Sequence, residues 1–184
     1  MGQQIYNRKN NEREPNDFYV TPPETTRALM EREKFDGLIW ECACGTGEMA
    51  EVIKEYDCMV FSSDLIDRGY GRGGVDFLQH PDEDEVENII TNPPYKHAFA
   101  FVKKAKKIAT KKIAMLLKIT FLEGISRYEM FQDTDFPLKI VYVFCRRQKV
   151  AKEGMELKNA GMIAYAWFVW DKEYKGKPII EWIP

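Results

Sequence analysis

The chain of 184 residues is predicted to be an α/β protein, a doubly wound, mostly parallel seven-stranded sheet with an antiparallel hairpin at one edge. Three observations predict it. Short apolar runs alternate with segments of helical period along most of the chain. The early runs each stop at a Gly, Asp or Asn-Pro element, where a strand can pass into a loop. The last two long runs have no helical segment between them, which suits an antiparallel pair. In such a sheet ligands bind beyond the carboxyl ends of the strands, near the point where strand order reverses.

Residues 1–16 are polar and aperiodic and are expected to be a flexible arm, with 17–184 a single domain and no separate module for target recognition. Thr21-Pro22-Pro23-Glu24 has the form of a capping box, with Thr21 as N-cap, opening a helix that runs to about Lys34. Leu38-Ile39-Trp40 reads as a first strand that breaks at Gly45-Thr46-Gly47 and passes into a helix over Glu48–Tyr56. Cys58–Ser62, Gly73–Leu78 and Val86–Thr91 read as the next three strands. A helix over Lys96–Ala109 places Ala98, Phe101, Val102, Ala105 and Ala109 on one face. Ile113–Ile119 is a fifth strand, Gly124–Phe131 a short helix, and Leu138–Phe144 and Met162–Trp170 the closing pair.

No run reaches the roughly 18 consecutive apolar residues of a membrane span, and the N-terminus has no apolar signal core, so the protein is expected in the cytoplasm. Cys42, Cys44, Cys58 and Cys145 lack zinc-ligand spacing and are expected buried and reduced, with no metal site. The net charge of −2 hides an asymmetry. Residues 1–90 carry 9 Lys/Arg against 20 Asp/Glu, and residues 91–184 carry 18 against 9. A basic half suits a polyanion, because Lys and Arg displace counterions from phosphate; ordinary solvated helix faces are the alternative. Lys96, Arg146, Arg147 and Lys149 are the main candidates for phosphate contact, with Lys103, Lys104, Lys106, Lys107 and Lys152 beside them.

Asn92-Pro93-Pro94-Tyr95, directly behind Ile89 and Ile90, carries the most chemical information. Each proline fixes φ and removes an N–H donor, and Pro94 holds Pro93 extended. The Asn92 side-chain oxygen and the Pro93 carbonyl are left as acceptors beside the flat ring of Tyr95. Such a set suits a planar group bearing an exocyclic NH₂. The other strand ends add a ligand site. Gly45 and Gly47 permit a tight turn and close backbone approach, without the third glycine of a dinucleotide fingerprint or the Lys-Ser/Thr of a phosphate loop. Asp64 can accept from both hydroxyls of a ribose. Asp76 can accept from an adenine amino group while Phe77 packs on the ring, or Phe77 can be a core residue.

The order Thr21-Pro22, Glu41-x-Ala43-x-Gly45-x-Gly47, Asp64, Asp76-Phe77, Asn92-Pro93-Pro94-Tyr95 resembles the gamma class of DNA adenine-N6 methyltransferases. Asp17-Phe18-Tyr19-Val20-Thr21-Pro22-Pro23 is similar to the opening of small phage- and prophage-encoded members. The resemblance implies a Rossmann-like methyltransferase fold and S-adenosyl-L-methionine as cofactor. It implies cofactor contacts from Tyr19, Thr21, Pro22, Glu41, Ala43, Gly45, Gly47, Asp64, Asp76 and Phe77. It also implies catalysis by Asn92, Pro93, Pro94 and Tyr95 on an adenine flipped from duplex DNA, with Tyr95 stacking on it. Phe121, Tyr128 and Phe144 are candidates for a second stacking ring. The same tetrapeptide serves enzymes that methylate RNA or a protein glutamine amide, and a cofactor-binding subunit without catalysis is a further alternative.

Overall fold

The computed structural model describes residues 18–148, 150 and 163–184. The 1–16 arm, Asp17, Lys149 and Lys152 lie outside the described residues. In chain order the elements are α1 (Pro23–Met30), β1 (Ile39–Glu41), α2 (Glu48–Lys54), β2 (Val60–Ser62) and β3 (Val86–Thr91). They continue as α3 (Ala98–Ile108), β4 (Ala109–Lys118), α4 (Tyr128–Gln132), β5 (Leu138–Phe144), β6 (Tyr165–Asp171) and β7 (Ile179–Ile183). The strands form one sheet in the order β2-β1-β3-β4-β6-β5-β7. All neighbours are parallel except β6, which is antiparallel to both β4 and β5. This is the expected fold class, with the antiparallel pair one strand in from the edge because β7 adds outside β5.

Strands covered on both faces need apolar residues at every position. On β4, Ile113, Met115 and Leu117 face the core beneath α3, while Ala114 and Leu116 face the core beneath α1 and α2. On β6, Ala166, Phe168 and Trp170 alternate in the same way with Tyr165, Trp167 and Val169. The α3 stripe of Ala98, Phe101, Val102, Ala105 and Ile108 covers one face as its helical spacing requires. The indole N–H of Trp167 donates to the Thr25 carbonyl at 2.8 Å and fixes the first turn of α1 over β6. Among the described residues no helix is long and apolar enough to cross a membrane.

Several elements differ from expectation. Gly73–Leu78 is not a strand: Gly74 has φ of +74°, a left-handed conformation that breaks a pleated ladder. The chain there makes an isolated bridge between Ser63 and Arg72, then a 3₁₀ turn over Phe77–Gln79. The seventh strand is β7, a short segment at the sheet edge whose first four residues are exposed. Helix α1 ends at Met30 rather than Lys34, and Pro22 stands at its N-cap with no side-chain cap. Thr21 precedes a proline and is held away from the helix, so its hydroxyl is directed elsewhere. Cys42 and Cys44 are buried, Cys58 is half-buried and Cys145 is exposed.

The charge asymmetry also has a different meaning. Lys104 and Lys107 pair with Asp82, Lys111 with Glu87, and Lys112 and Lys139 with Glu33. Lys106 pairs with Asp133. Five lysines of the basic half thus pair with carboxylates of the acidic half, and Lys104, Lys106 and Lys107, named as phosphate-contact candidates, are engaged in ion pairs within the fold.

Candidate functional site

From β1 the chain moves outward to β2, then crosses back to β3 on the other side of β1. Strand order reverses there, and a cleft of about 260 Å³ opens at the carboxyl ends of these strands. Tyr19, Thr21, Glu41, Ala43, Gly45, Asp64, Asp76, Phe77, Asn92, Pro93, Pro94 and Tyr95 all line it. Of the expected cofactor residues, Pro22 and Gly47 do not. Gly47 instead sits at the N-cap of α2 with φ of +95°, where a Cβ would meet the Tyr70 ring at 2.4 Å.

Asn92 follows the last residue of β3. Its amide nitrogen donates to the Thr21 hydroxyl at 3.0 Å, which fixes the side chain and explains why Thr21 does not cap α1. The other end of the amide, Oδ1, is buried and has no donor among the described residues. A buried acceptor left in this way costs about 1–3 kcal/mol unless a ligand satisfies it.

Tyr95 is in ring contact with two other tyrosines. Its ring centroid is 5.6 Å from that of Tyr19 and 5.4 Å from that of Tyr165. The Lys118 ammonium stands 4.7 Å from the Tyr95 centroid. Neither Tyr19 nor Tyr165 was among the proposed second rings. Phe121 and Phe144 are buried in opposite cores, and Tyr128 is 60% exposed on α4. The tyrosine row was hidden because Tyr165 arrives through β6, about 70 residues from Tyr95 in the chain.

The carboxylate of Asp64 accepts from the backbone N–H of Gly45 and of Ile66 and from the Arg68 guanidinium, each at 2.9 Å. A carboxylate has about four acceptor sites, so three are already filled. Asp64 therefore ties the glycine loop to the end of β2, which leaves little capacity for both hydroxyls of a ribose. Arg68 also lies 4.2 Å from the Phe18 ring centroid, and a Cβ on Gly45 would meet that ring at 2.3 Å. Phe18 thus covers Gly45 closely. Phe18 and Arg68 were not singled out from the sequence, although Arg68 stands one helical turn after Asp64, a spacing that allows an ion pair.

Glu41 is 2% exposed, and its Oε2 has no donor among the described residues. Burial, with Glu48 and Asp64 nearby, raises its carboxyl well above the ordinary range. Burial likewise pushes the Cys44 thiol up to about 12, so this cleft cysteine is not a thiolate nucleophile at neutral pH. Asp76 is exposed and accepts from the Leu78 backbone N–H at 3.0 Å, capping the 3₁₀ turn. Phe77 is packed between Trp40 and Phe101, with centroids at 5.2 and 4.9 Å, so its ring belongs mainly to the core. Lys96, Arg146 and Arg147 are exposed; none lines the cleft, and Lys149 lies outside the described residues.

The open, doubly wound sheet with its one antiparallel strand matches in fold the solved Rossmann-like methyltransferases. A protein provisionally described as the modification subunit of a type I restriction enzyme, from Vibrio vulnificus YJ016, matches 91% of this chain and 48% of its own, with 16% identity and a TM-score of 0.61. The chain thus spans about half the length of that neighbour. A protein from Pyrococcus horikoshii, provisionally described as an RNA methyltransferase, matches 85% of this chain and 87% of its own, with 13% identity and a TM-score of 0.63. The 1,6-didemethyltoxoflavin-N1-methyltransferase of Burkholderia thailandensis, solved with S-adenosylhomocysteine, matches 81% and 76%, with 10% identity and a TM-score of 0.53. No family model and no curated protein matches the sequence.

Proposed function

We propose that the protein is an S-adenosylmethionine-dependent methyltransferase acting on the exocyclic amino group of adenine in DNA, with the base flipped out of the duplex. The observation that carries this reading is the buried Asn92 Oδ1, an acceptor with no donor among the described residues, at the head of two prolines in the switch-point cleft. An incoming NH₂ satisfies it. The Pro93 carbonyl supplies a second acceptor, since the proline that follows has no N–H to offer locally.

The cofactor fits the residues present. The orphaned Oε2 of Glu41 suits the ammonium of an amino acid, whose charge returns the buried carboxyl to its ionised form. Ala43 stands beside it on the cleft wall, and Asp76 offers an exposed carboxylate to the adenine end. When bound, S-adenosylmethionine supplies an electrophilic methyl group on a sulfonium. Asn92 and Pro93 accept the two N–H bonds of the substrate amino group, favour a pyramidal nitrogen and stabilise the positive charge that develops on it. Thr21 keeps the Asn92 amide in that orientation. No protein base is required, because the methylated nitrogen is strongly acidic and loses its proton to water. His97, on the cleft wall, is therefore dispensable for the chemistry.

The test is incubation of DNA, RNA and a release-factor-like protein with methyl-labelled cofactor, beside an Asn92→Ala control. Label is expected in DNA adenine and absent with the variant. Label in RNA or protein but not in DNA overturns the DNA reading.

A further inference from the structure

Lys118 stands apart from the other lysines of β4. Lys111 and Lys112 are neutralised by Glu87 and Glu33. Lys118 is half-buried, and among the described residues no carboxylate pairs with it. Its place is set by register: it is the last residue of β4, directly opposite Tyr165 on β6. Residues paired across strands share a face. Lys118 and Tyr165 therefore both reach Tyr95, at 4.7 and 5.4 Å from its ring centroid.

An ammonium with no carboxylate partner among the described residues, held beside Tyr95 at the end of β4, can pair with an anion that the acceptor brings. A nucleotide brings it as a phosphodiester; a glutamine amide brings none. We propose that Lys118 binds the phosphodiester flanking the acceptor adenine in DNA, so that the site selects a nucleotide over a protein amide. This inference rests on the methyltransferase reading above. The cation recognises the anion and so positions the acceptor beside Tyr95.

The test compares wild type, Lys118→Met and Lys118→Arg on a duplex oligonucleotide carrying the sequence that wild type methylates. A matched duplex has a neutral methylphosphonate beside the target adenine. Lys118→Met is expected to raise KM for the normal duplex about tenfold and to lower the salt slope of binding by about one. Cofactor affinity should be unchanged. The methylphosphonate should cost wild type a similar factor and cost Lys118→Met nothing further, while Lys118→Arg keeps the wild-type salt slope. Thermal melts establish that each variant is folded. An unaltered salt slope, or losses from variant and methylphosphonate that multiply, reduces Lys118 to a support for Tyr95 and overturns the inference while the proposed function stands. Absence of wild-type transfer to DNA overturns both.

Discussion

Asn92 anchors one end of its amide on Thr21, and the other end, on the cleft wall, has no donor among the described residues. Asn92→Ala is expected to lower methyl transfer by about 10²–10³-fold, the loss typical of one preorganised hydrogen-bonding group, with cofactor affinity within about threefold of wild type. Single-turnover kinetics and calorimetry check this; an equal loss of cofactor binding would move Asn92 into the cofactor site. Glu41 makes a second prediction. Its folded-state pKa is raised by burial, so its contribution to stability is most favourable below the unfolded value of about 4.3 and declines as pH rises toward the folded value. Glu41→Gln removes that penalty. The variant should melt higher than wild type at pH 8, with the difference shrinking toward pH 4, and should bind cofactor about tenfold more weakly. Melting curves across that range and calorimetry decide it. Asn92 was legible in the sequence because two prolines remove the local donors. Its partner Thr21 was misassigned, since a threonine before a proline looks like a helix cap until the fold brings Asn92 beside it.

At the level of elements, the glycine loop after β1 and the end of β2 act as one unit joined by Asp64. Arg68 and Asp64 are both largely buried, with side chains 16% and 11% exposed. Removing one partner of such a pair strands the other. Asp64→Ala is therefore expected to cost about 3 kcal/mol in chemical denaturation and to weaken cofactor binding through the loosened loop. A variant as stable as wild type would show that the three donors find water instead. Strand β3 was read with its observed bounds because Asn92-Pro93 ends it sharply. The segment 73–78 misled because its apolar residues suggest a strand while its left-handed glycine forbids one. Strand β7 is short and exposed over most of its length, so it carries little periodic signal; its partner β5 defines it.

Across the whole molecule, the acidic and basic halves hold each other. Glu33, buried behind α1, accepts from Lys112 and Lys139 at 2.9 Å and from the Tyr142 hydroxyl at 3.0 Å. Burial pushes the Glu33 carboxyl up, but the two ammonium groups outweigh it and hold it below its ordinary value. A depressed folded-state pKa stabilises above the unfolded value and loses that contribution as pH falls through the folded one. Glu33→Gln should therefore cost about 3 kcal/mol at pH 7, with the gap to wild type closing as pH drops below about 4.3. Denaturation midpoints at pH 7, 5 and 3 test it; a gap that persists at pH 3 would assign the loss to packing. The alternation of strands and helices, the doubly wound class and the acceptor motif were readable locally, because periodicity and proline chemistry act over a few residues; the count of seven strands came out right with 73–78 read in place of β7. Long-range contacts set the rest: Thr21 holds Asn92, Asp64 ties the glycine loop, Tyr19 and Tyr165 touch Tyr95, and Lys104, Lys112 and Lys139 are paired within the fold. Those outcomes depend on which strand ends meet at the switch point, and strand order and register set such contacts between residues far apart in the chain.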